Sequence, residues 1–163
     1  EATDPYINAG ETEAIGLELA LGAQFSNGFF ADLNCTLQES EYTKYAKAGV
    51  NYDGNKIPNV PEQMLGGTIG YRDPVWGQFT FTADYVGDRY FNEQNTLKGD
   101  GYWIFGAGYK KIFEEWDPRL SFFVDLKNLT DEDAVVYGGG SPGKEALVPV
   151  YGQQFLVGLE LMF

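Results

Sequence analysis

The sequence predicts an all-β chain: an antiparallel up-and-down meander of about seven strands, forming part of a transmembrane β-barrel. Three observations predict it. Long stretches alternate apolar and polar residues, and a strand sends successive side chains to opposite faces. Aromatic residues make up 16% of the chain and 21 glycines punctuate it, as in proteins built from many short strands. The polar connections alternate between short and long, as in barrels with short turns on one side of a membrane and long loops on the other.

Taken in order, residues 1–10 read as a loop ending in Asn8-Ala9-Gly10. The first strand is expected over 11–25, with Ile15, Leu17, Leu19, Leu21, Ala23 and Phe25 on one face and Gly16, Glu18, Ala20, Gly22 and Gln24 on the other. Ser26-Asn27-Gly28 is a tight turn in which Asn-Gly supplies positive φ. The second strand is expected over 29–42, with Ala31, Leu33, Cys35 and Leu37 opposed to Asp32, Asn34, Thr36 and Gln38. From Glu39 both faces turn polar, so the strand rises out of the lipid into a long loop over 43–60.

The third strand is expected over 63–72, with Leu65, Gly67, Ile69 and Tyr71 outward. A turn at 73–77 leads to the fourth, over 78–91, with Phe79, Phe81, Ala83 and Tyr85 outward. A polar loop at 92–98 precedes the fifth, over 99–113. After a turn at 114–119 the sixth places Leu120, Phe122, Val124 and Leu126 opposite Ser121, Phe123, Asp125 and Lys127. A Gly/Pro-rich loop over 130–152 leads to the last strand, where Phe155, Val157, Leu159, Leu161 and Phe163 share a face. An apolar edge strand in water invites aggregation; a barrel wall in lipid accounts for it.

Phe123-Val124-Asp125-Leu126-Lys127-Asn128-Leu129-Thr130-Asp131-Glu132, the later loop, and Gln154-Phe155-Leu156-Val157-Gly158-Leu159 to Phe163 resemble the carboxyl end of TonB-dependent outer-membrane receptors. The family pattern there is V-x-N-L-x-D, a loop, and G-R-x-F-x-x-G-x-x-x-x-F. Asn8-Ala9-Gly10-Glu11-Thr12 to Gly16-Leu17-Glu18 is similar to the family's N-x-G-x-T-x-x-x-G-x-E strand. Ile57-Pro58-Asn59-Val60-Pro61-Glu62 resembles its P-x-V-P-x-H entry to a strand, without the histidine. Two further departures are Gln153 where the family often has arginine, and Leu156 where the assembly signal usually has a polar residue.

Composition narrows the function. With 24 acidic and 11 basic residues the net charge is −13, against the basic footprint of a nucleic-acid binder. The chain has one cysteine and no histidine, so no internal disulfide, His-based metal site or Ser-His or Cys-His nucleophile is expected. Cys35 reads as a small hydrophobe of the wall. No run approaches the roughly 18 apolar residues of a membrane helix. No signal region opens the chain, so a mature or truncated piece of an exported protein is expected.

Several small motifs have bland readings. Gly138 to Lys144 has P-loop spacing, but Glu145 follows where Ser or Thr is needed, and a flexible outer loop is the expectation. Asn128-Leu129-Thr130 is a glycosylation sequon by pattern and a strand end by context. Asp131, Glu132 and Asp133 could ligate calcium, and are more often merely solvated. Tyr42, Tyr45, Tyr52, Tyr90, Phe91 and Tyr137 lie near outer strand ends and read first as an interface belt, second as ligand contacts. Glu18, Asp32, Asn34, Asp84, Asp125 and Glu160 are expected to line a polar lumen.

The alternation of connections puts the carboxyl end in the periplasm and residues 1–10 outside. Bacterial barrels have an even strand number and both termini inside, so the expectation is one barrel segment, residues 1–163, the carboxyl-terminal third of a larger wall. The resemblance implies a barrel of about 22 strands, in the outer membrane of a Gram-negative bacterium, whose plug domain and energy-coupling box are absent here. It also implies energy-coupled uptake of a large scarce solute such as a siderophore, cobalamin or glycan, with no catalysis. No catalytic, cofactor or metal residues are expected, and the ligand contacts are unknown. The partners it implies are outer-membrane lipid, the assembly machinery through the strand ending at Phe163, and TonB only through regions missing here. Two rivals are a small independent outer-membrane barrel (adhesin or pore) and a soluble β-sandwich or ligand-binding barrel, since a sandwich also buries one apolar face. The mean hydropathy of −0.29 does not separate them.

Overall fold

The computed structural model describes residues 10–115, 119–141 and 143–162. It is all-β. In chain order the strands begin with β1 (Glu11–Gln24), β2 (Phe29–Lys44), β3 (Ala46–Lys47) and β4 (Val50–Asn51). They continue with β5 (Gln63–Asp73), β6 (Gly77–Val86), β7 (Arg89–Tyr90), β8 (Lys98–Gly99) and β9 (Tyr102–Phe113). The last are β10 (Arg119–Lys127), β11 (Val135–Ser141), β12 (Lys144–Pro149) and β13 (Gln154–Met162). One seven-stranded sheet runs β1-β2-β5-β6-β9-β10-β13 with every neighbour antiparallel, the expected meander. It is an open wall: β1 and β13 are its edges.

The register keeps the two faces apart. Leu21 stands opposite Leu33, Leu33 opposite Gly67 and Gly67 opposite Ala83; Ile69 faces Phe81, and Leu126 faces Phe155. Leu21, Leu33, Ile69, Phe81 and Phe155 are exposed, and Gly67, Ala83 and Leu126 half-buried, as on a wall whose apolar face has no protein layer over it. Cys35 sits between Leu19 and Leu65 on this face, as a wall residue. Aromatic pairs mark the same face near its two ends: Tyr85 with Trp103 on one side, and Phe29 with Tyr71 and Phe79 with Tyr109 on the other.

The opposite face carries the polar set. Glu18 pairs with Thr36, Asp32 with Thr68, Asn34 and Asp84 with Gly66, Asp125 with Gly108, and Glu160 with Ser121. Two rings also lie here, each across from a glycine: Phe30 over Gly70 and Phe123 over Gly158. A β-carbon at either glycine would collide with the ring.

The first two short turns form as the sequence predicts, while residues 116–118 of the third lie outside the described residues. Gly28 (φ +92°) closes the first, and the Asp73 carboxylate accepts the Val75 and Trp76 amides at 2.7 and 2.8 Å to cap the second. The long connections differ from expectation. The 43–60 loop contains the β3–β4 ribbon, and β2 runs two residues further, to Lys44. The fourth strand ends at Val86 and the fifth starts at Tyr102, because residues 89–90 and 98–99 pair with each other as a separate ribbon. The Gly/Pro-rich 130–152 segment is no flexible loop: β11 and β12 form a hairpin turning at Gly143 (φ +82°). Val135, Val136, Leu147 and Val148 supply its strand-forming residues on either side of the glycines. Phe163 lies outside the described residues.

Candidate functional site

Most of what this chain buries lies at one end. Among the described residues the buried apolar ones are Tyr42, Tyr52, Phe91 and Tyr102, and Ser40, Arg89, Asn92 and Asn128 are polar ones buried at the same end. All sit at the end of the sheet from which the three long connections emerge. These connections, residues 45–62, 87–101 and 128–153, pack into a single cap.

Asparagine amides make many of its joints. Asn59 (φ +64°) donates Nδ2 to Gly138 O and accepts Gly138 N–H on Oδ1, both at 3.0 Å, so its side chain stands in as a strand partner for β11. Asn95 (φ +53°) does the same for Lys56, at 2.7 and 3.0 Å. Asparagine tolerates this left-handed backbone better than most residues. Asn128 (φ +53°) donates to the carbonyls of Glu132 and Tyr151 and accepts the Glu132 amide. Asp131 accepts the Gln153 amide at 3.3 Å. Asn128 and Asp131 of the sequon and acidic segment therefore tie the exit of β10 to the entry of β13.

Charged groups tie the first two loops. Glu93 accepts from the Tyr45 hydroxyl at 2.9 Å and from Lys47 Nζ at 3.0 Å, and this holds Lys47 above its ordinary pKa. Burial, then the Glu93 bond, pushes the Tyr45 phenol up. Lys56 is raised by Glu39, 2.5 Å away, and Glu62, 2.9 Å away. Lys98 holds the Asp88 carboxyl below the usual range, and Asp88 raises Lys98 in turn.

The sequence-predicted residues divide. Tyr42, Tyr52 and Phe91 are not belt residues: they are only 8%, 6% and 3% exposed, packed beneath the loops, with the rings of Tyr42, Tyr45 and Tyr52 in successive tilted contacts. Tyr137 is well exposed on the hairpin, and Tyr90 gives its carbonyl to Asn59. Gly138 to Lys144 offers no phosphate cradle, since Asn59 takes the Gly138 amide and Glu145 the Gly143 amide. Asp131, Glu132 and Asp133 belong to no cluster of three ligating groups among the described residues. The lumen set is spread along the wall and converges on no site. Of the residues that build the cap, Asn55, Asn95, Arg89 and Glu93 carry no local motif and Asn59 only its place in the 57–62 segment; the clustering of Asn51, Asn55, Asn59, Asn92 and Asn95 is the signal the sequence offers.

Comparison with known proteins gives this architecture a family. The model of the TonB dependent receptor-like β-barrel matches residues 1–129. The chain belongs to the TonB-dependent receptor β-barrel family. The pesticin receptors of Yersinia enterocolitica and of Yersinia pestis are each 29% identical to it over 134 residues, covering 80% of this chain and 19% of theirs. The chain thus spans about a fifth of the length of the curated relatives it matches. The solved structure of the ferric yersiniabactin uptake receptor from Yersinia pestis superposes with a TM-score of 0.72 at 24% identity, over 93% of this chain and 23% of that one. A siderophore receptor from Acinetobacter baumannii does so with a TM-score of 0.75 at 21% identity, over 92% and 22%. At these identities the likeness carries the fold: the seven strands are a stretch of a receptor barrel wall. Barrels of the TonB-dependent receptor family lie in the outer membrane of Gram-negative bacteria, and the relatives are receptors, not enzymes.

Proposed function

We propose that this chain is the carboxyl-terminal part of the barrel of an outer-membrane receptor that takes up a ferric siderophore. Its wall would separate lipid from lumen, and its cap would supply part of the surface that first receives the solute. Energy would come from TonB, acting through parts of the receptor outside these residues. The segment assigned here, residues 1–163, makes and breaks no bond.

The observation that carries this reading is the cap itself: three long connections on one side of a family-matched wall, joined into a structured surface. The similar proteins, a ferric yersiniabactin uptake receptor among them, favour a siderophore over cobalamin or a glycan. The test is growth of a strain lacking the full-length receptor, with ferric yersiniabactin as the sole iron source. Restoration by the receptor, and only when TonB is present, is the expected result. Growth without the receptor, or restoration without TonB, would refute it.

A further inference from the structure

Arg89 is 5% exposed, and no ion pair among the described residues includes it. Burying a charge without partners is costly. Here backbone carbonyls and rings replace a carboxylate. Nη1 donates to Gly87 O at 3.1 Å, and Nη2 donates to Val135 O and Val136 O, both at 2.7 Å. The guanidinium lies over the rings of Phe91 and Tyr102, at 5.6 and 5.5 Å. Its planar fork of donors suits this arrangement, whereas a lysine ammonium is a point charge with no flat face.

Two more contacts land on the next residues of the same strand. Asn59, from the first loop, holds both backbone groups of Gly138. Phe91, from the second, fills the space beside Gly138 and Gly99 that a β-carbon would need. Three side chains from two loops thus converge on residues 135–138 of the third. An isolated two-stranded hairpin is marginal in water, so these anchors fix where β11–β12 points.

We propose that Arg89 is a positioning residue of the receiving surface. With Asn59 and Phe91 it latches the β11–β12 hairpin to the other two loops, so that the three present one preset face to the solute. The latch rests on the receptor reading above only for its consequence in binding. Its test uses the full-length receptor in outer-membrane vesicles, with spin labels at Val50 and Glu145, both exposed. One narrow distance distribution is expected in the parent, and broad ones in Arg89→Lys and Asn59→Gly. The glycine keeps the positive φ and removes only the amide. Heat-modifiable migration of the barrel should be unchanged, showing that the wall is folded. A narrow distribution in both variants would overturn the latch.

Binding of ferric yersiniabactin to the same vesicles should weaken about tenfold in both variants, as expected for the loss of one hydrogen bond's worth of preorganisation. Broadened distances with unchanged affinity would overturn the positioning role. A parent receptor that fails to bind this probe refutes the siderophore assignment, and the distances then decide the latch by themselves.

Discussion

The wall and the cap are held together by opposite means. Across the wall, most side chains are exposed or half-buried and the backbone ladder does the holding; within a strand, each residue's environment follows from whether its number is odd or even. In the cap four of the strands, β3, β4, β7 and β8, shrink to two residues, and buried rings, amides and one guanidinium take over. A barrel wall keeps its apolar groups for lipid, so a protein core develops only where the chain leaves the membrane.

That contrast can be broken from either side. The largest effect is expected in the wall. Leu33→Arg puts a charge on the lipid face of a central strand and should cost about 2–4 kcal/mol, read as a shift in the urea unfolding of the full receptor in lipid vesicles. Protease resistance of the folded cap should not change. Next, Gly138→Val drives methyl groups into the Phe91 ring and Leu147, an overpacking cost of about 1–3 kcal/mol. Limited proteolysis should then open the 143–148 segment while lipid-phase unfolding of the wall stays as it was.

Asn95 sharpens the contrast further. Asn95→Gly removes the amide that faces Lys56 but keeps the backbone shape, at about 1 kcal/mol per lost bond; Asn95→Ala adds left-handed strain of about 1–2 kcal/mol. Hydrogen exchange of the Lys56 amide, which donates to Asn95 Oδ1, should speed up in both, and more in the alanine variant. The smallest effect is that of pH. Lys47 and Lys98 are raised by Glu93 and Asp88, so their contribution is intact below the ordinary lysine pKa and fades as pH rises through the raised values. Asp88 is lowered, so its contribution is intact above the ordinary carboxylate pKa of about 3.9 and fades as pH falls through the lowered value. Cap proteolysis should therefore be slowest between these limits and quicken slightly with added salt, with the wall indifferent.

The same division decides what could be read from the sequence. The seven wall strands were legible because lipid on one side and a polar lumen on the other impose a strict period of two, as from Ile15 to Phe25. Their outer ends were not, since beyond Glu39 and Val86 no membrane enforces the alternation. Tyr42, Tyr52 and Phe91 look in sequence like headgroup aromatics, and only the long-range folding of residues 45–62 over residues 87–101 buries them. Asn59 is 79 residues from the glycine it holds, a distance over which no local pattern speaks.

The rings that face Gly70 and Gly158 carry a consequence for biogenesis. The β1–β2, β5–β6 and β9–β10 pairs are joined by short connections that dictate how two strands align. The β2–β5 and β10–β13 pairs are joined by 18 and 26 residues of outer loop, which dictate nothing of the kind. Phe30 and Phe123 sit on these two seams. Sliding a strand by two residues would bring the Phe30 ring onto Thr68 or Arg72, and the Phe123 ring onto Leu156 or Glu160, where a β-carbon already stands. Each phenylalanine therefore fits only the observed alignment of its seam without a clash, a steric bias that the long loops themselves do not supply.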